Sequence, residues 1–413
     1  MQNIQARKNY TNSWVVLFLL LGSQLFSYVS TITGISQQFF AALNAGITVL
    51  VFFILLLNTK NILNKNLSIS FAFIFFFFLY NLRMFRDLYL NNIYTDTFAN
   101  PNTYFLYLYL LCFIPAFSIY IFRNVNFDKI LKYVFYSFFI MCSLGLFFNF
   151  IGTINSSVDS ELRSQATNSI GSLGFGHYGV SLSILSVYLI KYGKLHQFKF
   201  KYIVLILSLI IGLITIYVSG SRSPLLALFI ILTIILFGIK KPLKYILIGV
   251  VVYSLYNEFK TEIATFFLNY GGNLGYRINR TIMDNYTSGR DILLEYAFTQ
   301  ISDNPFFGSS FLLTGIGDFR GYYPHNLLIE ILLAVGIFGF YFFIYYLGGI
   351  FKNIYIHLKK YGNKHSWIFF IFFQYFLFGM VSKSLYTNTL LWMFGALSLN
   401  YLLNYKKNIY VSK

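Results

Sequence analysis

Residues 326–348 read NLLIEILLAVGIFGFYFFIYYLG, a run in which Glu330 is the only charged side chain. A helix of about 20 apolar residues is long enough to cross a hydrocarbon core of about 30 Å. Comparable runs recur along the 413-residue chain, which is 57% hydrophobic and 11% charged. Soluble domains carry about 25% charged residues. No soluble domain could bury this much apolar surface, so the stretch predicts a helix that lies in lipid.

Such runs predict about twelve transmembrane helices in an all-α membrane protein that forms a single polytopic domain over residues 1–413. The ninth run is short, and a long polar segment at 258–325 follows it. The predicted spans lie near 14–32, 36–57, 67–82, 103–122, 130–152, 171–190, 202–219, 224–239, 244–257, 326–348, 367–382 and 386–404.

The net charge of +18 does not indicate nucleic acid, because the basic residues lie in short clusters between the apolar runs. This is the charge pattern that sets the orientation of membrane proteins. With both termini in the cytoplasm, 21 of the 31 basic residues fall in cytoplasmic segments and eleven of the thirteen acidic residues fall on the outer side. The pattern therefore favours a multi-pass membrane protein with both termini in the cytoplasm.

Arginine and lysine are distributed differently. Of the 21 lysines only Lys260 and Lys383 lie on the outer side, whereas eight of the ten arginines lie there or at its interface. A guanidinium group binds phosphate in bidentate fashion, so the distribution suggests a phosphate-bearing ligand outside. Selection for lysine in the cytoplasm alone would give the same pattern. The eight arginines are Arg83, Arg86, Arg163, Arg222, Arg277, Arg280, Arg290 and Arg320.

The polar segment at 258–325 is predicted to be an extracytoplasmic loop that contains short helices. A helix is expected to begin near Ser288, as its cap, and to end at Asn304 and Pro305. Its apolar residues, including Ile292 and Leu293, could lay it on the membrane surface. Loops of this length usually carry function.

Helix N-termini attract anions, because their amide groups are unpaired and carry partial positive charge. Three predicted spans begin at the outer face with notable residues, at 171–177, 219–224 and 323–326. In the second, Ser223 is expected to cap the helix with Pro224 in the first helical position. The loop helix adds an N-terminus at Arg290. If these ends converge, they form an outward-facing anion site lined by Arg222, Arg290 and His325.

Each of these residues also has an interpretation without function. Arg222 could extend to the membrane interface, Arg290 could be a solvated loop charge, and His325 could bond the backbone at a helix start. Glu330 lies one turn inside the tenth span, where an ionisable group is a functional hypothesis. We expect it to pair with an arginine or to orient His325. Gly336 and Gly339 are expected to permit close packing.

Four motifs follow one another in order along the second half of the chain. They are Ser219-Gly220-Ser221-Arg222-Ser223, Gly289-Arg290 with the helix after it, Asp303-Asn304-Pro305-Phe306-Phe307-Gly308, and Pro324-His325-Asn326-Leu327-Leu328-Ile329-Glu330 with Val335-Gly336-Ile337-Phe338-Gly339. Together they resemble the bacterial O-antigen polymerase and O-antigen ligase superfamily. The resemblance covers about 160–345, and Arg163 with Gly176-His177 is similar to a weaker, earlier element. The short loop carries Ser-Arg-Ser where many members are richer in glycine.

The resemblance implies a metal-independent glycosyltransferase of the GT-C-like kind without a cofactor. Its donor would be an oligosaccharide linked through pyrophosphate to undecaprenol, used at the periplasmic face. Arg222 and Arg290 would hold the diphosphate, and His325 would orient or deprotonate the acceptor hydroxyl or else hold the diphosphate. Further substrate-binding candidates are Arg163, His177, Asn326, Glu330, Arg280 and Arg320.

The leading functional hypothesis is a Wzy-type polymerase that joins repeat units into O-antigen or capsular polysaccharide. An O-antigen ligase, which transfers finished glycan to lipid A-core, is the closest alternative. A flippase or transporter of the lipid-linked unit is an alternative of another class, although transporters show related halves and charges at mid-membrane. A polymerase would act in the lipid bilayer beside a chain-length regulator and a flippase.

Overall fold

The computed structural model describes residues 2–58, 67–94, 100–122, 125–151, 165, 167, 170–193, 201–238, 242–287, 289–314, 320–362 and 365–411. These residues form a helical membrane protein. Its helices are α1 (Gln2–Thr33), α2 (Gln37–Asn58), α3 (Leu67–Phe85), α4 (Pro101–Leu106), α5 (Ile114–Ile121), α6 (Phe127–Phe150), α7 (Ser172–Tyr192), α8 (Lys201–Ser219), α9 (Arg222–Phe237), α10 (Pro242–Tyr270), α11 (Gly272–Met283), α12 (Arg290–Asp303), α13 (Leu327–Tyr361), α14 (Trp367–Val381) and α15 (Thr389–Val411). Two π-helical turns, Arg86–Leu90 and Tyr107–Phe113, extend α3 and join α4 to α5.

All the predicted spans except the ninth coincide with an apolar helix of the described chain. Eight helical segments are long and apolar enough to cross a membrane, and three shorter ones (α9, α14 and the first part of α15) are also apolar. The ninth run lies in α10, where the side chains at 242–248 lie outside the described residues. It therefore stays a prediction.

Two boundaries differ from the sequence-based expectation. Helix α13 continues to Tyr361, so the segment after 348 is helical rather than a connection. The segment after 257 is also helical at first, because α10 continues through a kink at Phe259 to Tyr270 and α11 follows it. Most of the described residues in 258–325 are therefore helical, and the longest irregular stretches are 304–314 and 320–325.

Helix α7 lies at the centre of the bundle and packs against α6, α8, α9 and α14. Small residues permit its close approach to α8. A Cβ atom at Gly179 would lie 2.6 Å from the carbonyl oxygen of Gly212, and one at Gly212 would lie 2.4 Å from Oγ of Ser183. In lipid such close packing supplies the attraction between helices, since burial from water cannot. It also fixes the ends of α7 and α8, where two of the site motifs lie.

A kink at Gly336 divides α13 and fastens the loop after α12 to it. The φ of Gly336 is +61°, and a Cβ atom there would lie 2.4 Å from the amide nitrogen of Gly308. The opened helix exchanges backbone hydrogen bonds with this loop, including Ile337 N–H to Pro305 (2.8 Å) and Ser309 N–H to Leu333 (2.9 Å). Gly336 thus permits close packing as expected, with a loop as its partner. A Cβ atom at Gly339 would meet the side chain of Val335 in its own helix.

Arg83, one of the outward arginines, holds the same loop from the side of α3. Its guanidinium donates hydrogen bonds to the carbonyl oxygens of Phe307 (2.9 Å), Gly308 (2.7 Å), Ser309 (3.1 Å) and Ala334 (2.9 Å). These four hydrogen bonds to the main chain give Arg83 a structural role. The outward placement of arginine is therefore not due to a ligand at every position.

Candidate functional site

Asn326 sets the start of α13. Its backbone is extended, and its side-chain oxygen accepts hydrogen bonds from the amides of Leu328 (3.1 Å) and Ile329 (3.2 Å). This is the standard N-cap arrangement, which satisfies two amides that have no partner in the helix. Capping accounts for the oxygen of Asn326, which the sequence analysis placed among the substrate-binding candidates.

His325, immediately before this cap, has a left-handed backbone with φ of +54°. Residues other than glycine adopt this conformation at a cost of about 1–3 kcal/mol, and they concentrate at functional sites. The imidazole centroid lies 4.3 Å from that of the Tyr323 ring. Its Nδ1 is buried and has no hydrogen-bond partner among the described residues. The turn therefore holds one ring nitrogen of His325 in a buried position without a hydrogen-bond partner among the described residues.

The surroundings of His325 keep its ring neutral. Burial and then the positive charge of Arg290 lower its pKa to about 4, while a hydrogen bond with the main chain of Ser382 acts in the opposite direction. The lowered pKa thus has two causes, burial first and the neighbouring guanidinium second.

Arg290 is the first residue of α12, as predicted. It shares a neighbour, Ser382, with the turn that carries His325. Its Nη2 donates a hydrogen bond of 3.0 Å to Oγ of Ser382. The hydroxyl of Tyr323 donates a hydrogen bond of 2.8 Å to the carbonyl oxygen of the same serine. Ser382 thus joins the start of α12, the turn that carries His325, and the connection between α14 and α15.

Helix α12 differs in detail from the prediction. It ends at Asp303 before Pro305, as expected, but its N-cap is Gly289 with φ of +74° and no side-chain cap bond, and Ser288 lies outside the described residues. Leu293 packs into a small cluster with Leu333 of α13, whereas Ile292 is exposed. The helix is therefore held by the protein on the side that we expected to lie on lipid.

Arg222 is the first residue of α9 and binds the chain that leads to Arg290. Its Nη1 donates to the carbonyl oxygens of Arg277 and Tyr286, at 3.3 Å in both cases. The capping prediction for Ser223 is wrong, because the N-cap is Ser221 and the side chain makes no cap bond. The structure brings Arg290 and His325 together and links Arg222 to them through the segment from Tyr286 to Arg290.

The short loop that carries Arg222 touches the start of α7. A Cβ atom at Gly176 would lie 2.6 Å from both Oγ of Ser219 and Cγ of Pro224. The next residue, His177, is fully buried and stacks on Phe378 with 3.8 Å between centroids. Neither of its ring nitrogens has a hydrogen-bond partner among the described residues. His177 therefore lies inside the bundle and beneath the site rather than on its surface.

Glu330 lies one turn below His325, but within the described part of the chain its carboxylate binds neither His325 nor an arginine. Its carboxylate accepts hydrogen bonds from the hydroxyl of Tyr80 (3.0 Å) and from the amide of Leu385 (3.0 Å). The expected pairing is therefore replaced by a link between α3, α13 and the connection after α14. Because Leu385 follows Ser382 by three positions, Glu330 helps to hold the residue that binds Arg290.

The other arginines that the sequence suggested as substrate-binding residues make their described contacts away from His325. Arg280 stacks on the ring of Tyr286 at 3.8 Å and pairs with Asp284 at 3.9 Å. Arg320 donates to the carbonyl oxygen of Asn92 at 3.3 Å. Arg163 lies outside the described residues. Arg280 reaches the site only indirectly, because Tyr286 also accepts from Arg222.

The connection between α14 and α15 is part of the site, although the sequence did not predict it. Residues 382–388 read SKSLYTN, a polar run between two apolar helices that includes Lys383, one of the two lysines on the outer side. Most lysines lie on the cytoplasmic side, so the position of Lys383 on the outer side was the signal in the sequence that pointed to this run. It could not reveal which helix ends the run touches.

The fold and this arrangement define a polytopic helical membrane protein in which Arg290 and a neutral His325 meet at Ser382, while Arg222 contacts the segment that precedes Arg290. Residues 207–344 match the family model described as O-Antigen ligase. The matched segment runs from within α8 to within α13 and includes Arg222, Arg290 and His325. The match supports the resemblance to the O-antigen ligase and polymerase superfamily that the motifs indicated. Members of this family are glycosyltransferase-like enzymes that act on lipid-linked glycans in a membrane. No curated protein and no solved structure is significantly similar to the chain.

Proposed function

We propose that the protein polymerises oligosaccharide repeat units linked to undecaprenyl pyrophosphate, at the periplasmic face of the bacterial inner membrane. The products would be O-antigen or capsular chains. The observation that carries the proposal is the meeting of Arg290 and His325 at Ser382, within the segment that matches the family. A cation for the leaving group and a neutral base for the acceptor are the two groups that glycosyl transfer requires.

In the proposed step the acceptor hydroxyl oxygen forms a bond to the anomeric carbon of the donor. The bond from that carbon to the diphosphate oxygen breaks, and the diphosphate leaves with the electron pair. His325 accepts the proton from the acceptor hydroxyl. Arg290 and Arg222 stabilise the negative charge that develops on the diphosphate, and they do so without reorganisation because the protein already holds them in place.

The bound diphosphate also helps His325 to act as a base. In the empty site the positive charge of Arg290 lowers the pKa of His325. A diphosphate beside Arg290 offsets this charge, since an opposite charge nearby favours the protonated imidazole. The pKa of His325 therefore rises when the donor binds, towards the range in which a base is effective.

The guanidinium groups supply the positive charge that a divalent metal ion would otherwise supply to the diphosphate. We therefore propose that transfer is independent of metal ions. The expected result is full activity after dialysis against EDTA. A requirement for added Mg²⁺ or Mn²⁺ would contradict this part of the proposal.

Reconstitution tests the site. The purified protein in proteoliposomes is supplied with a lipid-linked repeat unit, and chain length and released undecaprenyl pyrophosphate are measured. Arg222→Ala, Arg290→Ala and His325→Ala are each expected to reduce transfer by about 10²–10³-fold, the usual effect of removing a group that stabilises developing charge. Arg86→Ala is the matched control, because Arg86 is exposed on the π-helical extension of α3. Normal transfer by all three variants would overturn the assignment.

Ligation is the second candidate, because the matched family model carries the ligase description. A deletion strain separates the two. Loss of a polymerase leaves lipopolysaccharide capped with one repeat unit, whereas loss of a ligase leaves none capped. We expect the single-unit product, and its absence would favour the ligase.

A further inference from the structure

A large cavity lies beside Ser382, between α1, α2, the start of α7 and the connection between α14 and α15. Its volume is about 690 Å³, within the range of about 300–1,000 Å³ that ligand sites occupy. We call it the polar cavity. Its walls include the carboxamides of Gln24, Gln37 and Asn44 and the rings of Tyr107, Tyr178 and Tyr323.

The wall chemistry suits a hydroxylated ligand. Carboxamides and hydroxyl groups both donate and accept hydrogen bonds, as sugar hydroxyls do. Aromatic rings offer flat apolar faces with a polar tip in tyrosine, which suit a sugar ring that is apolar on its face and polar at its rim. In a cavity that binds only lipid chains, these amide groups would lie against hydrocarbon without hydrogen-bond partners, which is unfavourable. The observations therefore favour a glycan over an acyl or prenyl chain.

Lys383 is the single charged residue among the described residues that line the polar cavity. It is partly exposed and forms no ion pair with a described residue, and the described part of the cavity lining includes no carboxylate. Burial lowers the pKa of its amine, so the ammonium is held at a cost. An ammonium without a counter-ion in a partly dehydrated site is stabilised by an anion that arrives with a ligand.

The polar cavity adjoins the proposed catalytic site. Tyr323 and Ser382 line the cavity, and they are also the residues that contact His325 and Arg290. A glycan in the cavity would therefore have an end within reach of His325. Lys383 lies outside the segment 207–344 that matches the family. Its role is for that reason a property of this chain and not of the matched segment.

We propose that the polar cavity binds the glycan of the substrate and that Lys383 binds an anionic group on it, an inference that rests on the proposed function. The anionic group is either the carboxylate of an acidic sugar or a phosphate of the diphosphate link. Both accept charge-assisted hydrogen bonds from an ammonium group. Lys383 thereby selects substrates that carry a negative charge at this position.

Binding to the full-length protein in nanodiscs, measured by calorimetry, tests the inference without catalysis. The probes are a tetramer of galacturonic acid, the same tetramer with its carboxyl groups reduced to alcohols, and inorganic pyrophosphate. At least one anionic probe is expected to bind at least tenfold more weakly to Lys383→Gln than to the unaltered protein. Lys383→Arg should keep most of the affinity, and Lys352→Gln, at an exposed lysine of α13, is the matched control.

The probes identify the source of the charge. Preference for the acidic over the reduced tetramer, lost in Lys383→Gln, identifies a sugar carboxylate. An effect of Lys383→Gln on pyrophosphate alone identifies the diphosphate. Absence of binding by both anionic probes, or equal binding by Lys383→Gln and the unaltered protein, would overturn the proposal.

A second variant tests the location of the tetramer. No atom lies within 4 Å of a Cβ atom built at Gly171, which lines the polar cavity. The ring of Gly171→Phe is therefore expected to occupy the cavity and to weaken tetramer binding at least tenfold. Unchanged binding would overturn this location. His325→Ala should bind the probes normally while it loses transfer, so failure of this inference and failure of the proposed function are distinguishable.

Discussion

Arg290 and Ser382 lie 92 positions apart in the sequence and are joined by a hydrogen bond of 3.0 Å from guanidinium to hydroxyl. This bond connects the helix that begins in the long polar segment to the connection between the last two helices. It fixes a flexible side chain beside His325, so that the cation is in place before a substrate arrives. Pre-placed charges of this kind stabilise a transition state without the cost of reorganisation.

Ser382→Ala is expected to lower transfer by about tenfold with little change in protein stability. The substitution removes the anchor of Arg290 and leaves its charge, so the loss should be smaller than the roughly 10²–10³-fold loss expected for removing the cation itself. Initial rates in proteoliposomes measure the effect. Ser302→Ala, near the end of α12, is the control, because the Ser302 hydroxyl only bonds a carbonyl of its own helix. A loss as large as that of Arg290→Ala would contradict the anchoring role.

Arg290→Gln is expected to raise the pKa of His325 above its value of about 4. The substitution removes a neighbouring positive charge, which disfavours the protonated ring. Burial, the larger cause, remains, so the pKa should stay below the ordinary value of about 6.5. Histidine-labelled protein followed by NMR against pH gives the value, with His325→Gln to assign the signal. The pKa should not change in Arg86→Gln, and an unchanged pKa in Arg290→Gln would contradict the proximity.

The same pKa predicts how stability depends on pH. Because the folded-state pKa of His325 is below the unfolded value, the unfolded chain binds more protons between about pH 4 and 6.5. The contribution of His325 to stability is complete above about pH 6.5 and is lost as the pH falls towards 4. His325→Gln should therefore unfold with a weaker pH dependence in this window. Thermal unfolding in detergent at a series of pH values measures the difference, and identical slopes would contradict it.

Glu330→Ala is expected to destabilise the fold by about 1–3 kcal/mol. It would leave two buried donors, the Tyr80 hydroxyl and the Leu385 amide, without an acceptor. Labelling of the buried Cys112 and Cys142 by a thiol-reactive dye during heating reports unfolding. Glu295→Gln, at an exposed position of α12, should stay within about 0.5 kcal/mol of the unaltered protein. A stable Glu330→Ala protein with lowered transfer would instead indicate direct contact with substrate.

Gly336→Ala is expected to cost about 2–3 kcal/mol or more and to lower the amount of folded protein. A Cβ atom would lie 2.4–2.5 Å from the backbone of Gly308 and Phe306, at a φ that other residues rarely adopt. Gly348→Ala in the same helix is the control, because no atom lies within 4 Å of its Cβ position. That change should be neutral or stabilising. Equal stability of the two variants would contradict the proposed packing of the loop on the kink.

The sequence by itself determined the class of fold and the resemblance to the family. Apolar runs such as 326–348 and the helix ends at Arg290 and Asn304 follow from local composition, because lipid obliges each spanning segment to satisfy its own backbone. The family motifs are also local patterns, which is why 207–344 could be identified without coordinates.

Only the tertiary structure decided the contacts of the site. The contacts that form the site join residues that lie 55 to 226 positions apart in the sequence. They are Glu330 with Leu385, Arg290 with Ser382, and Arg83 with the loop at 307–309. Hydropathy gives the position of a helix but not its rotation or its neighbours, which packing sets. Such partners are therefore invisible to spacing in the sequence. The position of Lys383 in a glycan-sized cavity followed from the same packing of helices that lie far apart in the chain.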